Sequence, residues 1–354
     1  MKCSMVANPI KQKGFVLAAT LWALAIMFIA VGIFNAYVQR KMSVGLQAKA
    51  HLQQSLDQIS TEQTILYLLG TCRMTRAGLT PSYQNEQQFL TEDGFLRTDP
   101  IGDEIWLDGS VYQGLGDSLF SIQDTAGSIT VNAADPSSLE QLLAQYEPSP
   151  AVRTRLIGAL ADYIDADDLL SIGGAEKQDY IAKGMIAPTN DYLRSPVELQ
   201  NVYGWKEWLQ AHPQFRYQEW LGSNRMGMLN INTMPKPLLV NLVGLQESMA
   251  DQYILERRTN PVSSIPEFLL RFNLSEQQIQ DEKYRTFPTN EFRLSFWNKG
   301  GGQARTISLQ LTPNGLLGPW LVDYEYSVQS VNNNNEPLAL RQTKLFGHAM
   351  DVDR

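Results

Sequence analysis

Cysteine and histidine are scarce. The 354-residue chain has two cysteines, Cys3 and Cys72, and three histidines, His51, His212 and His348, which lie far apart. So few cysteines exclude a disulfide framework, and stability must come from packing. Scattered histidines supply neither a zinc site nor a catalytic triad well. A G-x-S-x-G nucleophile elbow is also missing. Positive charge is outnumbered, with 29 Lys and Arg against 37 Asp and Glu and a net charge of −8. That balance opposes sequence-independent attraction to nucleic acid, which needs a basic face.

Long hydrophobic runs are rare too, and the exception stands near the start. Phe15 to Phe34 is a stretch of twenty residues without a charge. As a helix it measures about 30 Å, enough to cross a bilayer core. A secretory signal has a shorter apolar region and then a small-residue cleavage site. Here the run passes straight into NAYVQRK, so it is expected to be retained. Lys2, Lys11 and Lys13 precede it, which places the short N-terminus in the cytoplasm and the bulk of the chain across the membrane. Lys13-Gly14-Phe15 before an unbroken apolar helix resembles the class III signal of type IV pilins and pseudopilins. The resemblance implies peptidase cleavage between Gly14 and Phe15, with Phe15 the N-methylated first residue of the mature chain. Loss of the three leading lysines would take the net charge from −8 to −11. Loss of Cys3 would leave Cys72 with no internal partner. Most members of that family carry a glutamate at the fifth mature position, where this chain has Ala19. A carboxylate inside a bilayer persists only with a reason. In a pilin fibre that reason is the N-terminal ammonium of the subunit above, and a tip subunit has no such neighbour. An uncleaved signal anchor is the plain alternative.

Beyond the run, Ala48, Leu52, Leu56, Ile59, Leu66 and Leu69 fall mainly three or four apart on a polar background. This predicts a continuing helix whose apolar stripe packs within the chain, with a partner-binding coiled coil as the alternative. EIWLDGSVYQ, DSLFSIQD and SITVNAA then read as strands. A helical block follows from Asp135. From Asn290 strands return as EFRLSFW, ARTISLQLT, WLVDYEYSVQS and LALRQTKLF, with NNNNEP at 332–337 as a hairpin loop. The order predicts one sheet packed on the long helix, with an α-domain inserted between its strands.

The helical block contains an echo. ITVNAADPSSLEQLL at 129–143 and LNINTMPKPLLVNLV at 229–243 match at a shift of one hundred residues. Asn132 pairs with Asn232, and Leu139, Leu142 and Leu143 pair with Leu239, Leu242 and Val243. Asp135-Pro136 reads as a helix start, and Thr233 with Pro235 as nearly the same. Each unit is followed by a second helix. Such pairs resemble helix-hairpin-helix or SAM-like modules, whose DNA-binding use the acidic charge disfavours.

Asp162, Asp165, Asp167, Asp168, Glu176 and Asp179 concentrate six carboxylates in eighteen residues. Like charges so close call for water or a cation, and calcium takes six to eight oxygen ligands. Asp165, Asp167 and Glu176 fit the first, third and twelfth positions of an EF-hand count, but Leu169 and Leu170 occupy the fifth and sixth. That rules out an EF-hand. A solvated acidic loop is the plain reading, and glycosidase-like use of two carboxylates is the enzymatic one, for which spacing identifies no pair.

D-Y-I-D-A-D at 162–167, G-G-A-E-x-x-x-Y at 173–180, Asn190, S-P-V-E-L-Q-N-V-Y-G at 195–204 and L-N-I-N-T at 229–233 occur in that order. Together they strongly resemble the K-type minor pseudopilins of the type II secretion system. The resemblance implies an α+β fold: a long N-terminal transmembrane and stalk helix packed on a pilin-like antiparallel sheet, with a large inserted all-α domain. The expected division is a leader at 1–14, the helix at 15–80, strands at 83–134, the inserted domain at 135–285 and strands at 286–354. It implies a non-enzymatic subunit of the bacterial inner membrane, globular in the periplasm, at the tip of a short pseudopilus. Its partners would be I-type and J-type minor pseudopilins, the major pseudopilin, the prepilin peptidase and the inner-membrane secretion platform, with no nucleic acid. Calcium occurs in the family, and chemistry places it near Asp165, Asp167, Asp168 and Glu176 in a structural role. A minor pilin of an MSHA-like type IV pilus is the nearest alternative; a membrane-anchored periplasmic hydrolase and a competence-type DNA receptor are the others.

Overall fold

The structure, a computed structural model, describes residues 15–81, 98–133, 135–225, 227–275, 281–301, 303–329 and 340–346. Gly14 and the 332–337 loop lie outside the described residues. The first helix, α1 (Phe15–Thr71), runs 57 residues with no proline to interrupt it. The chain divides into two compact units, Met1–Leu56 and Asp57–Arg354. In the first, α1 exposes its apolar side chains and is long and apolar enough to cross a membrane. In the second, its last turns bury Thr61, Glu62, Ile65, Leu66, Leu68 and Leu69. The expected stripe therefore packs only in part. Leu66 and Leu69 are buried, but Leu52, Leu56 and Ile59 are about half exposed or more, because burial begins only at Thr61.

After β1 (Gly78–Leu79), β2 (Ile105–Trp106) pairs with it antiparallel. β3 (Asp108–Gln113) and β4 (Ser118–Asp124) form a hairpin. β5 (Ile129–Thr130) opens a long helical segment. It holds α2 (Ser137–Leu143), α3 (Pro150–Ile164), α4 (Lys177–Ala182), α5 (Trp205–Ala211), α6 (Tyr217–Trp220), β6 (Leu221–Gly222), β7 (Leu229–Asn230), α7 (Lys236–Asn241), α8 (Glu247–Glu256), α9 (Ile265–Phe272) and β8 (Tyr284–Arg285). β9 (Glu291–Asn298), β10 (Gln303–Leu311) and β11 (Trp320–Gln329) complete a five-stranded antiparallel sheet in the order β11-β10-β9-β4-β3. β4 thus pairs with β9 across the whole helical segment.

Strand alternation builds the first core. Phe120 and Ile122 on β4, Phe292, Leu294 and Phe296 on β9, and Ile307 and Leu309 on β10 are buried with Ile65, Leu66, Leu68 and Leu69 of α1. A second core gathers residues from Ile129 to Tyr284. Two expected strands differ. Of SITVNAA only Ile129–Thr130 is extended, and it pairs parallel with β6 outside the main sheet, because Ile129 and Val131 are buried in the helical core. In LALRQTKLF the described residues make a single bridge, Arg341 to Tyr112, and a 3-10 turn at Lys344–Phe346.

The echo at a shift of one hundred is structural. Asn132 donates through Nδ2 to the carbonyls of Leu193 and Ser223 and accepts from Leu193 N. Asn232 donates to Val262 and Thr286 and accepts from Val262 N and the Tyr253 hydroxyl. Each asparagine follows a two-residue strand that pairs parallel, β5 with β6 and β7 with β8. Gln141 donates to the carbonyl of Asn241, its own counterpart in the second copy. The helix starts diverge. Asp135 accepts from Ser137 N ahead of α2, but Thr233 does not cap α7. Its hydroxyl is taken by Asp124.

Asp124 lies at the seam between the two cores. Its Oδ1 accepts from Ala126 N, Thr289 N and the Thr289 hydroxyl, and its Oδ2 from Asn230 Nδ2 and the Thr233 hydroxyl. Nearby, Arg257 at the end of α8 binds Asp108 at 3.0 Å, with both side chains buried. Arg293 of β9 adds bonds to the carbonyls of Glu219 and Leu221.

Candidate functional site: the acidic loop

Between α3 and α4 the chain folds back on α3, and glycine permits it. A Cβ at Gly158 would lie 2.5 Å from the carbonyl oxygen of Ile172, and one at Gly174 would lie 1.9 Å from Asp162 Oδ2. Gly173 has φ +76, in the left-handed region. Asp162 is fully buried on the last turn of α3, and its carboxylate accepts from Ser171 N at 3.0 Å. The G-G of the sequence pattern is therefore a packing requirement, and Asp162 anchors the loop above it.

The four carboxylates expected to bind calcium occupy both ends of this loop. Asp165 stands at the C-terminus of α3 and Glu176 at the N-terminus of α4. Asp167 and Asp168 are exposed between them. Asp167 Oδ1 accepts from Leu169 N, and Asn190 Nδ2 reaches the carbonyl of Asp167 and Oδ1 of Asp168. Asn190 adopts φ +49 to do so. Oδ1 of Asp165 and both carboxylate oxygens of Glu176 are buried atoms without a well-formed hydrogen bond.

Electrostatics bear on the two groups at the ends of the loop. Burial pushes the Asp165 carboxyl above its usual range, and the charges of Asp167, Asp162 and Asp168 push it further. Glu176 is raised by burial and then by Asp162, Asp165 and Asp168. Proton affinity that is raised by neighbouring carboxylates marks negative charge without a counterion. The donor set suits a hard cation, because unsatisfied carboxylate oxygens are what calcium prefers. Among the described residues, however, no three Asp, Glu, His or Cys side chains stand gathered at ligating positions. The exposed Asp167 and Asp168 would have to turn inward to complete the set.

The two described histidines stand outside this loop, and His348 lies outside the described residues. His212 stacks on Trp208 at 4.3 Å, and its Nδ1 contacts the Trp208 carbonyl. His51 is exposed on α1. Ala19 lies on α1, and Phe15 is the first described residue. The roles of Asp162 and Asn190 went unassigned in the ligand set. Their signal is the D-Y-I-D-A-D repeat and an asparagine downstream of it, but only the fold shows that Asp162 turns to the backbone.

Residues 118–212 match the family model for type II secretion system protein K. D-Y-I-D-A-D, G-G-A-E-x-x-x-Y and S-P-V-E-L-Q-N-V-Y-G all lie within that span. The match bears out the resemblance to K-type minor pseudopilins. Among solved structures, the GspK-GspI-GspJ complex of the type 2 secretion system from enterotoxigenic Escherichia coli contains a chain of similar fold. The likeness has a TM-score of 0.52 at 15% identity and covers 80% of this chain and 99% of that one. It carries the α+β architecture. A search of the curated proteins returns no match.

Proposed function

We propose that this chain, as a K-type minor pseudopilin, is the tip subunit of a type II secretion pseudopilus, where it primes assembly and limits length. The observation that carries the reading is the family match over residues 118–212 together with an N-terminal helix long and apolar enough to span a membrane. That helix anchors the chain once in the inner membrane, with the globular part in the periplasm. Ala19 supports the tip position, because no carboxylate is offered there to a subunit above. The I-type and J-type minor pseudopilins are the direct partners, by analogy with the complex whose chain shares the fold. The major pseudopilin and the secretion platform lie beneath. The role is structural and needs no catalytic group.

Calcium bound by Asp165, Asp167, Asp168 and Glu176 would neutralise the loop and fix α3 against α4. The unsatisfied oxygens of Asp165 and Glu176 support that role.

Mass spectrometry of the N-terminus, in cells with and without the prepilin peptidase, tests the class. An N-methylated Phe15 that depends on the peptidase is expected. A retained Met1, or cleavage beyond residue 30, would sink the reading.

A further inference from the structure

The hairpin between β10 and β11 turns through TPNGLLGP at 312–319. Asn314-Gly315 within it is the one asparagine–glycine pair in the chain. The turn admits only glycine after Asn314. A Cβ at Gly315 would lie 2.9 Å from the Gly318 carbonyl oxygen and from Thr312 Oγ1, and 3.0 Å from Thr312 Cβ. Close approach of backbone, and not a left-handed φ, makes the demand. Hydrogen bonds hold the approach in place. Gly315 N donates to the Thr312 carbonyl at 2.7 Å, Thr312 N to the Pro319 carbonyl at 2.8 Å, and Thr312 Oγ1 to the Gly318 carbonyl at 2.9 Å. Asn314 itself is exposed, and its amide makes no hydrogen bond among the described residues.

A free asparagine amide followed by glycine is a reactive pair. The amide carbon Cγ can close a ring with the next backbone nitrogen. A side chain on the following residue would shield that nitrogen, and glycine has none. Solvent hydroxide removes the Gly315 N–H proton, and the nitrogen forms a bond to Asn314 Cγ. The Cγ–Nδ2 bond breaks, and Nδ2 leaves as ammonia after taking a proton from water. Water then opens the cyclic imide at one of its two carbonyls. Opening at Cγ gives aspartate. Opening at the backbone carbonyl gives isoaspartate, whose main chain runs through the side chain and is one carbon longer. The sum is one water consumed and one ammonia released, with no oxidant or cofactor.

Elsewhere the same chemistry is closed. Asp108-Gly109 has a related form, but its carboxylate is buried and held by Arg257 and by Ser110 N. Asn132, Asn230 and Asn232 are buried, and each commits its amide to hydrogen bonds.

We infer that Asn314-Gly315 is a self-modification site, where the folded chain slowly exchanges an amide for a carboxylate and, in the isoaspartate product, lengthens its own backbone. The inference stands independently of the tip-subunit reading. A negative charge then appears beside Leu316 and Leu317, which are almost fully exposed. The longer backbone cannot keep the spacing between Gly315 and Thr312. The turn leads straight into Trp320, whose ring packs against Gly70 near the end of α1, so loosening here reaches the contact of sheet and helix. Attack requires the Gly315 N–H to leave the Thr312 carbonyl first, which should slow the folded chain about fivefold against the unfolded one.

The test incubates the full-length chain in detergent, at neutral and at mildly alkaline pH, in water enriched in heavy oxygen, and maps its peptides by mass spectrometry. The peptide holding Asn314 should lose its amide and take up the heavy oxygen, faster at the higher pH. It should also accept a methyl group from isoaspartyl methyltransferase. Incubation in urea should speed the conversion about fivefold. Asn314→Gln should abolish both changes, and hydrogen exchange at Thr312 and Gly315 should rise in the aged wild type but not in the aged variant. Conversion in urea alone, with Asn314 intact in the folded chain over the same period, would overturn the inference, because the turn would then protect the pair. Methyl label that maps only to Asp93-Gly94 would overturn it as well.

Discussion

Asp124 and Glu176 are both carboxylates drawn away from solvent, and the protein treats them oppositely. Asp124 sits at the seam between the cores with five donors converging on its two oxygens. Asp108 beside it has the guanidinium of Arg257. In the acidic loop Asp165 and Glu176 have buried oxygens without well-formed hydrogen bonds; only backbone N–H groups of α4 approach Glu176, and the nearby charges are other carboxylates. A buried carboxylate satisfied by protein groups holds structure unaided, whereas one left unsatisfied either takes up a proton or recruits a cation. The seam is therefore complete as the chain folds, and the loop waits on its surroundings.

The sharpest way to break this comparison is at Asp124. Asp124→Ala would strand five donors and is expected to cost about 4 kcal/mol, lowering the melting temperature by about 10 °C. A thermal melt that hardly moves would mean the seam does not depend on this group. Arg257→Met should cost about 3 kcal/mol, because it leaves the Asp108 charge buried and alone. Denaturant titration measures it, and a cost below 1 kcal/mol would argue that Asp108 can find another partner.

Calcium should distinguish the loop from the seam. At one hundred times its dissociation constant a bound ion adds about 2.7 kcal/mol, seen as a rise in melting temperature that chelator reverses. Asp165→Asn with Glu176→Gln should remove that rise. In chelator the same variant should be as stable as wild type or slightly more so, since it relieves like-charge crowding. A calcium response that survives both substitutions would move the ion elsewhere.

The smallest effect concerns acid. Burial alone would raise the Asp108 carboxyl, but Arg257, a hydrogen bond from Ser110 and the charge of Arg258 together outweigh it and hold the group below its ordinary value of 3.8. A depressed folded pKa means stability that is complete above about 3.8 and lost as pH falls through the lower folded value. The stability gap between wild type and Arg257→Met should therefore narrow below that pH. A gap that widens in acid would contradict the assigned charge state.

Regular elements were legible where pattern alone decides them. EFRLSFW alternates, and Phe292, Leu294 and Phe296 do face one core. The hundred-residue echo was legible as well, but its purpose was not. Nothing local says that Asn132 and Asn232 reach carbonyls of Leu193, Ser223, Val262 and Thr286 far along the chain. SITVNAA has strand character whichever sheet it joins, so only tertiary packing could move Ile129 to the helical core. Thr233 reads as a cap for the same reason, although its partner is Asp124, 109 residues earlier. In the acidic loop composition revealed the charge, and the division of labour between Asp162 and Asp165 depended on the Gly158 and Gly174 contacts. The stacking of Arg258 and Arg341 on the Trp106 ring had no local signal at all, being made from three remote segments.

The seam has a mechanical consequence. The helical segment leaves the sheet at Asp124 and returns at Thr289, and one carboxylate ties the exit to the re-entry. β4 and β9 meanwhile lie side by side, paired along their whole length. Tension passing between the sheet and the end of α1 can therefore travel through that strand pair without crossing the inserted domain. The inserted domain lies off that route.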